Sequence, residues 1–229
     1  MVDKAHQDSL GLSLPLRNSA LWFHGFGNPV STLSLEETEL GPCPPSQIRV
    51  CMTAAPVNPS DIIPITGAYR HTVKPPRVAG YEGVGTVVQA DGSSKELLDR
   101  RVLPLRGAGT WQSYVDCDPV WAVPVPDDID DRLAVQGYIN PLAAYLMLKQ
   151  WPVRGRRVLL TGAGSACAGL LAQWAFDAGA TEVIGVYRSQ SHVARLIKLG
   201  VRPISIYSTM EIQAVSLDTD IVFDAVGGS

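Results

Sequence analysis

The stretch "VLLTGAGSACAGLLAQWAFDAGA", Val158 to Ala180, decides how the whole chain is read. A strand-length apolar run leads through a glycine turn into an Ala- and Leu-rich helix that stops at Gly179, a residue suited to the left-handed end of a helix. The same grammar repeats downstream. "TEVIGVYR" (181–188), "RPISIYS" (202–208) and "DIVFDAVG" (220–227) read as strands, with helical "QSHVARLIKLG" (190–200) and a weaker "TMEIQAVS" (209–216) between them. Upstream, "NPLAAYLMLKQW" (140–151) carries Leu142, Tyr145, Leu146 and Lys149 at helical spacing. It predicts a connecting helix with Asn140 as N-cap and Pro141 in the first turn. Strands alternating with helices imply a parallel sheet, because each return to a parallel strand needs a long crossover. The second half is therefore expected to be Rossmann-like.

At the centre of that half, Gly162 and Gly164 occupy the strand-to-helix turn, followed by Ser165, Ala166 and Cys167 at the helix start. Small residues there let the backbone approach a pyrophosphate, whose charge the amides of a helix N-terminus can meet. Cys167 stands at the third glycine position of the G-x-G-x-x-G pattern, so the motif is incomplete, and its weight comes from lying after a strand and before a helix. A tight turn with no ligand is the plainer alternative. The following strand ends in Tyr187, Arg188 and Ser189, with no acidic residue to take a ribose hydroxyl. An arginine there suits the additional phosphate of NADPH, which is preferred over NADH on this ground; the competing reading is a solvated surface side chain.

The first half has another character. Up to about Asp128, the short runs "SALWFHGF", "QIRVCMTAA", "EGVGTVVQA", "DRRVLPL", "WQSYVDC" and "WAVPVP" are separated by Pro, Gly and Asp, and predict a small β-rich barrel. Over the 229 residues, 46% are hydrophobic and 18% charged, which is ordinary for a globular protein of one or two domains. The net charge of −3 comes without a basic cluster, which argues against nucleic acid and anionic membranes as partners and leaves small-molecule chemistry as the expectation. No apolar run approaches the ~20 residues of a membrane-spanning helix. The first 17 residues fit neither a secretory signal nor an Arg-rich transit peptide, so a soluble cytoplasmic protein is expected. Cys43, Cys51, Cys117 and Cys167 show no C-x-x-C spacing and read as small buried hydrophobes rather than zinc ligands or a disulfide framework.

The segments "VNPSDI", "GYEGVGTVV", "GTWQSYV", "NPLAAYLML" and "DIVFDAVGG" stand in the order found in the medium-chain dehydrogenase/reductase superfamily, which the chain resembles from about Ser19 onward. The resemblance implies an N-terminal extension at 1–17, a GroES-like β-barrel catalytic domain at 18–130 and a Rossmann-like NADP-binding domain at 131–229. Many members hold a catalytic zinc, but Pro59 and Tyr81 stand here where two of its ligands would be, leaving fewer than the three that such a site needs. The expectation is a zinc-independent enzyme. Without a Lewis acid, hydride transfer is easier to a substrate already activated by conjugation, such as a 2-enoyl thioester or a quinone. "NPSDI", "GAYR" and "NPLAAYLML" are most similar to the mitochondrial-type enoyl-CoA and acyl-carrier-protein reductases. That likeness implies Tyr69 as proton donor, Asn58 near the nicotinamide and thioester, Trp111 beside the substrate and Asn140 in the cofactor-binding set.

Other readings of these residues stay open. Asn58 and Asp61 could cap the short helix at "PSDII", Trp111 could be a core aromatic, and Glu82 could pair with a basic neighbour. The chain also departs from the family: Ala166 and Ala168 stand at usual glycine positions, where a methyl would crowd the pyrophosphate, and Ala143 replaces a common threonine. Only four of the six strands of the doubly wound pattern are read before Ser229. The resemblance allows a homodimer through the Rossmann sheet. The leading expectation is an NADPH-dependent reductase of an activated C=C bond, against a quinone oxidoreductase and a non-catalytic cofactor-binding relative.

Overall fold

The computed structural model describes residues 17–106 and 109–225, so most of the expected N-terminal extension, and the last residues of "DIVFDAVGG", lie outside the described residues. The chain divides into two compact units, Met1–Gln136 and Gly137–Ser229.

The first unit runs β1 (Arg17–Phe23), α1 (Pro29–Thr32), β2 (Leu33–Glu39), β3 (Ile48–Ala54), α2 (Pro59–Ile62), β4 (Arg77–Val78), β5 (Val84–Gln89), β6 (Arg101–Pro104), β7 (Tyr114–Cys117), β8 (Ala122–Pro124) and α3 (Asp131–Ala134). Three strands pair as β2-β1-β4 and five as β7-β3-β5-β6-β8, all antiparallel to their neighbours. Leu21 and Ser113 carry backbone hydrogen bonds between β1 and the segment ahead of β7, tying the sheets together. β-Branched side chains account for most of one core cluster, Ile48, Val50, Val87, Val102 and Val115, all fully buried. Each such side chain contributes about 1.5–3 kcal/mol by leaving water. Phe23, Ile65, Val73 and Ala79 form a second cluster beneath α2 and the turn after it.

Strands β2 and β4 are absent from the segments read as strands above. β2 contains Glu36, Glu37 and Glu39, a composition disfavoured in strands. It forms because it is an edge strand paired along its whole length with β1, from Arg17 opposite Glu39 to Phe23 opposite Leu33, and its outward carboxylates stay in water. Of the four cysteines only Cys117 is buried, its thiol pushed up to about 12 by that burial; the other three are half-buried, with Cys43 and Cys167 also raised by burial. All four are free thiols.

The second unit runs α4 (Ile139–Gln150), β9 (Arg157–Leu160), α5 (Ala166–Asp177), β10 (Glu182–Tyr187), α6 (Val193–Lys198), β11 (Arg202–Ser205), α7 (Thr209–Leu217) and β12 (Ile221–Phe223). Its sheet is parallel, in the order β11-β10-β9-β12. Counting β9 as the first strand, this is the 3-2-1-4 portion of a doubly wound sheet. Side chains alternate across it. Val183 and Tyr187 of β10 join Val158, Leu160 and Leu171 on one face, while Ile184 and Val186 join Leu159 and Ile204 on the other. No helix among the described residues is long and apolar enough to cross a membrane.

One expected boundary moves. α4 begins at Ile139 with Tyr138 as N-cap, so Asn140 lies in the first turn and does not cap the helix. The Leu142 amide bonds to the Tyr138 carbonyl, which starts the helix two residues before the proline signal suggests.

The tightest approach between strands is at Gly85, where a Cβ would press on the Cys51 carbonyl oxygen and lie 2.7 Å from Val50 Cγ1. A Gly85→Ala variant should lose about 2–3 kcal/mol by forcing β3 and β5 apart. Chemical denaturation would show this as a lower midpoint, and an unchanged midpoint would contradict the packing described.

Candidate functional site

In the second unit the glycine turn, the end of β10 and the start of the next segment enclose a cleft of about 600 Å³. Five sequence-predicted residues line it: Gly162, Gly164 and Ser165 from the turn, Tyr187 from the end of β10 and Arg188 just after it. Gly162 has φ +55°, a left-handed backbone that a side chain would strain. Ser165 is the N-cap of α5, its Oγ accepting from the Ala168 amide at 3.1 Å. The Ala166 and Cys167 amides precede the first intrahelical bond, from Gly169 N to Ser165 O, and so belong to the orphan donors of a helix start.

Two neighbours that sequence reasoning missed shape this turn. A Cβ on Gly164 would fall 2.5 Å from Cδ2 and 2.8 Å from Nε2 of His192, so the glycine leaves room for an imidazole. Arg195 donates to the Gly164 carbonyl at 2.8 Å and the Ser165 carbonyl at 3.3 Å, and its guanidinium lies over Gly169. Ala168 is buried in the core beside Leu171, so its methyl does not crowd the turn as expected. Asn140 and Cys167 meet each other, with Sγ 4.0 Å from the Asn140 carbonyl oxygen. Where β9 and β12 diverge, the Thr161 hydroxyl donates to Asp224 Oδ1 and accepts from the Ala225 amide.

These features fit a dinucleotide. The turn offers a left-handed glycine and a capped helix start, and β10 ends without a carboxylate to compete with a phosphate. Ser189 and His192, also lining the cleft, add polar groups beside Arg188.

In the first unit the organising group is Asp61, 1% exposed. One carboxylate oxygen accepts the Asn58 amide at 2.7 Å and the other the Tyr81 amide at 2.9 Å. Burial pushes the Asp61 carboxyl above its ordinary value, and the two amide bonds pull the other way. Capping by Asp61 is thus as expected from "PSDII". The Asn58 side chain completes the same capping box by accepting from the Asp61 backbone, and its Nδ2 also donates to Glu82 Oε2 at 3.1 Å; Glu82 is itself 2% exposed. Trp111 donates from Nε1 to the Pro56 carbonyl at 3.1 Å and packs over Gly80, whose φ of +89° and lack of a side chain admit the indole. Tyr81 carries the Arg77 guanidinium 5.5 Å from its ring centre, and Pro59 opens α2, so the two positions of replaced zinc ligands serve in a cation–π contact and a helix start. Tyr69 sits in the turn after α2, 44% exposed, its ring edge-on to His71 and its carbonyl accepting from Thr72 and Val73. Asn58 thus meets Glu82 beside the buried Asp61, Trp111 is held by the Pro56 carbonyl and Gly80, and Tyr69 stands at the surface nearby in sequence.

A parallel 3-2-1-4 sheet with a glycine turn, preceded by an antiparallel β unit, defines a two-unit dinucleotide-fold protein. Residues 44–127 match the alcohol dehydrogenase GroES-like domain family. A crystal structure from Bacillus thuringiensis, assigned as an NADPH:quinone reductase, superposes with a TM-score of 0.84 at 39% identity, covering 93% of this chain and 67% of that one. The mouse mitochondrial enoyl-[acyl-carrier-protein] reductase is 39% identical over 140 residues, which is 60% of this chain but 37% of the mouse protein. An Etr1p/NADP/crotonyl-CoA complex, at 21% identity and TM-score 0.77, shares the fold. The chain belongs to the medium-chain dehydrogenase/reductase superfamily and is similar to its enoyl reductases and quinone oxidoreductases.

Replacing Asp61 with alanine leaves two inward-facing amides without their acceptor, a loss of about 3 kcal/mol. Thermal unfolding of Asp61→Ala should show it, and an unshifted transition would mean that the carboxylate does not organise the unit.

Proposed function

We propose that this protein is a zinc-independent, NADPH-dependent reductase of an activated carbon–carbon double bond, with a 2-enoyl thioester as substrate. The observation that carries the cofactor assignment is the cleft itself, where the glycine turn faces a β10 end bearing Arg188 in place of an acid. Gly162, Gly164 and Ser165 would hold the pyrophosphate, and Arg188 with Ser189 the phosphate on the adenosine ribose. When bound, the reduced nicotinamide supplies a hydride.

The remaining work falls to the chain's own groups. Hydride addition at the β-carbon of an enoyl thioester puts negative charge on the thioester carbonyl oxygen, and the α-carbon then needs a proton. Tyr69, partly exposed at a turn and carrying a hydroxyl, is assigned as donor of that proton. Asn58 is assigned to orient substrate; its amide is already fixed by Glu82, which limits its rotation. Trp111, pinned to the Pro56 carbonyl, is assigned as a rigid apolar wall beside the substrate. The proposed domain roles follow: residues 18–130 present the substrate groups and residues 131–229 the cofactor.

A quinone is the second candidate substrate, favoured by the likeness to the Bacillus thuringiensis protein. Quinone oxygens take up charge themselves and need no tyrosine.

NADPH oxidation with crotonyl-CoA, measured beside a simple quinone, tests both. Tyr69→Phe should lower enoyl turnover at least 100-fold; undiminished enoyl turnover would remove Tyr69 from the mechanism, and quinone turnover alone would select the second substrate. Arg188→Ala should weaken NADPH binding at least 10-fold with little change for NADH, and equal losses would contradict the phosphate assignment.

A further inference from the structure

His192 lies outside every role assigned above, yet it occupies a singular place. Its imidazole fills the space that a side chain at position 164 would take, so the glycine turn and the segment after β10 pack together through this ring. It lines the same cleft as Arg188 and Ser189 and is half-buried. The 3-10 turn Gln190–His192 is held from its start by Ser189, whose Oγ accepts the Ser191 amide and lies 2.8 Å from the Ser191 hydroxyl. The ring is therefore fixed from both sides, by the turn it ends and the glycine it covers.

We propose that His192 is a specificity-determining contact for the phosphate of the phosphorylated cofactor, and that it takes up a proton when that cofactor binds. This rests on the cofactor reading above. An imidazole titrates near 6.5 in water, and an adjacent phosphate dianion favours its charged form. When charged, both ring nitrogens donate. The other charged groups around it set the sign. Arg188 after β10 and Arg195 on α6 are cations, and Arg195 donates from Nη2 to the Gly164 and Ser165 carbonyls. Among the described residues, Asp224 is the carboxylate lining the cleft and is hydrogen-bonded to Thr161, and the first turn of α5 holds no acid. A phosphate dianion bound beside the ring favours its charged form. NADH brings no such dianion to this spot, so the coupling should separate the two cofactors.

The test is calorimetric titration of NADPH and of NADH near pH 7 in buffers of different ionisation enthalpy, which counts protons exchanged on binding. Wild type should take up roughly half a proton with NADPH and much less with NADH. His192→Gln should bind NADPH several-fold more weakly with the uptake gone. Its residual proton exchange reports the cofactor phosphate itself, whose second ionisation lies near 6. His192→Lys, a cation at every pH used, should restore NADPH affinity without restoring uptake. NADPH binding with the same uptake in wild type and His192→Gln, or equal uptake with NADH, overturns this inference and leaves the cofactor reading standing. Failure of the wild type to bind either nucleotide overturns both.

Discussion

A carboxylate placed out of water must find donors, and in the first unit Asp61 finds two backbone amides from segments far apart in sequence. One oxygen fixes the entry to α2, the other the turn that precedes β5. Everything in that unit with a candidate role hangs from these two points. Asn58 directs its amide to Glu82 because its backbone is held by Asp61; Gly80, next to Tyr81, is placed so that Trp111 can lie over it; Tyr69 follows in the turn that continues α2. The energetic logic is that of a buried polar group fully paired, where removing either side leaves an unpaired partner rather than merely a lost contact.

The cleft of the second unit has a comparable economy. The turn between β9 and α5 uses glycine for two distinct reasons. Gly162 needs a left-handed backbone, whereas Gly164 needs the absence of a Cβ because His192 is there. Arg195 then clasps the carbonyls of Gly164 and Ser165, the second of which also accepts the Gly169 amide. The departures from the family's glycine pattern are absorbed here without closing the cleft: Ala168 turns into the core, and Cys167 lies against the Asn140 carbonyl.

Both units show strand pairing overriding local preference. β2, rich in glutamate, would not be a strand alone, and it persists because β1 offers seven paired positions and leaves its acids solvated. β10 shows the opposite, a strand whose β-branched residues alternate between two buried faces and whose one small residue, Gly185, fits between Ala163 and Val201.

The sequence by itself determined the architecture. Strand–helix alternation after Asp130, the glycine turn at 162–164, the helix stop at Gly179 and the acid-free end of β10 are local signals, because hydrophobic period and turn chemistry act over a few residues. It also determined the candidate residues carried by motif order, Asn58, Tyr69, Trp111 and Arg188. Tertiary structure decided which of those residues meet. The partnership of Asn58 with Glu82 spans 24 positions, and the Gly164 and Arg195 bond spans 31. No local pattern encodes such contacts, since they arise when crossover connections and antiparallel pairing bring distant segments to one place. That is why His192, an unremarkable residue in the sequence, became visible only once its ring was found against Gly164, and why the bond between Glu82 and the Asn58 side chain could not be read from the neighbours of either residue.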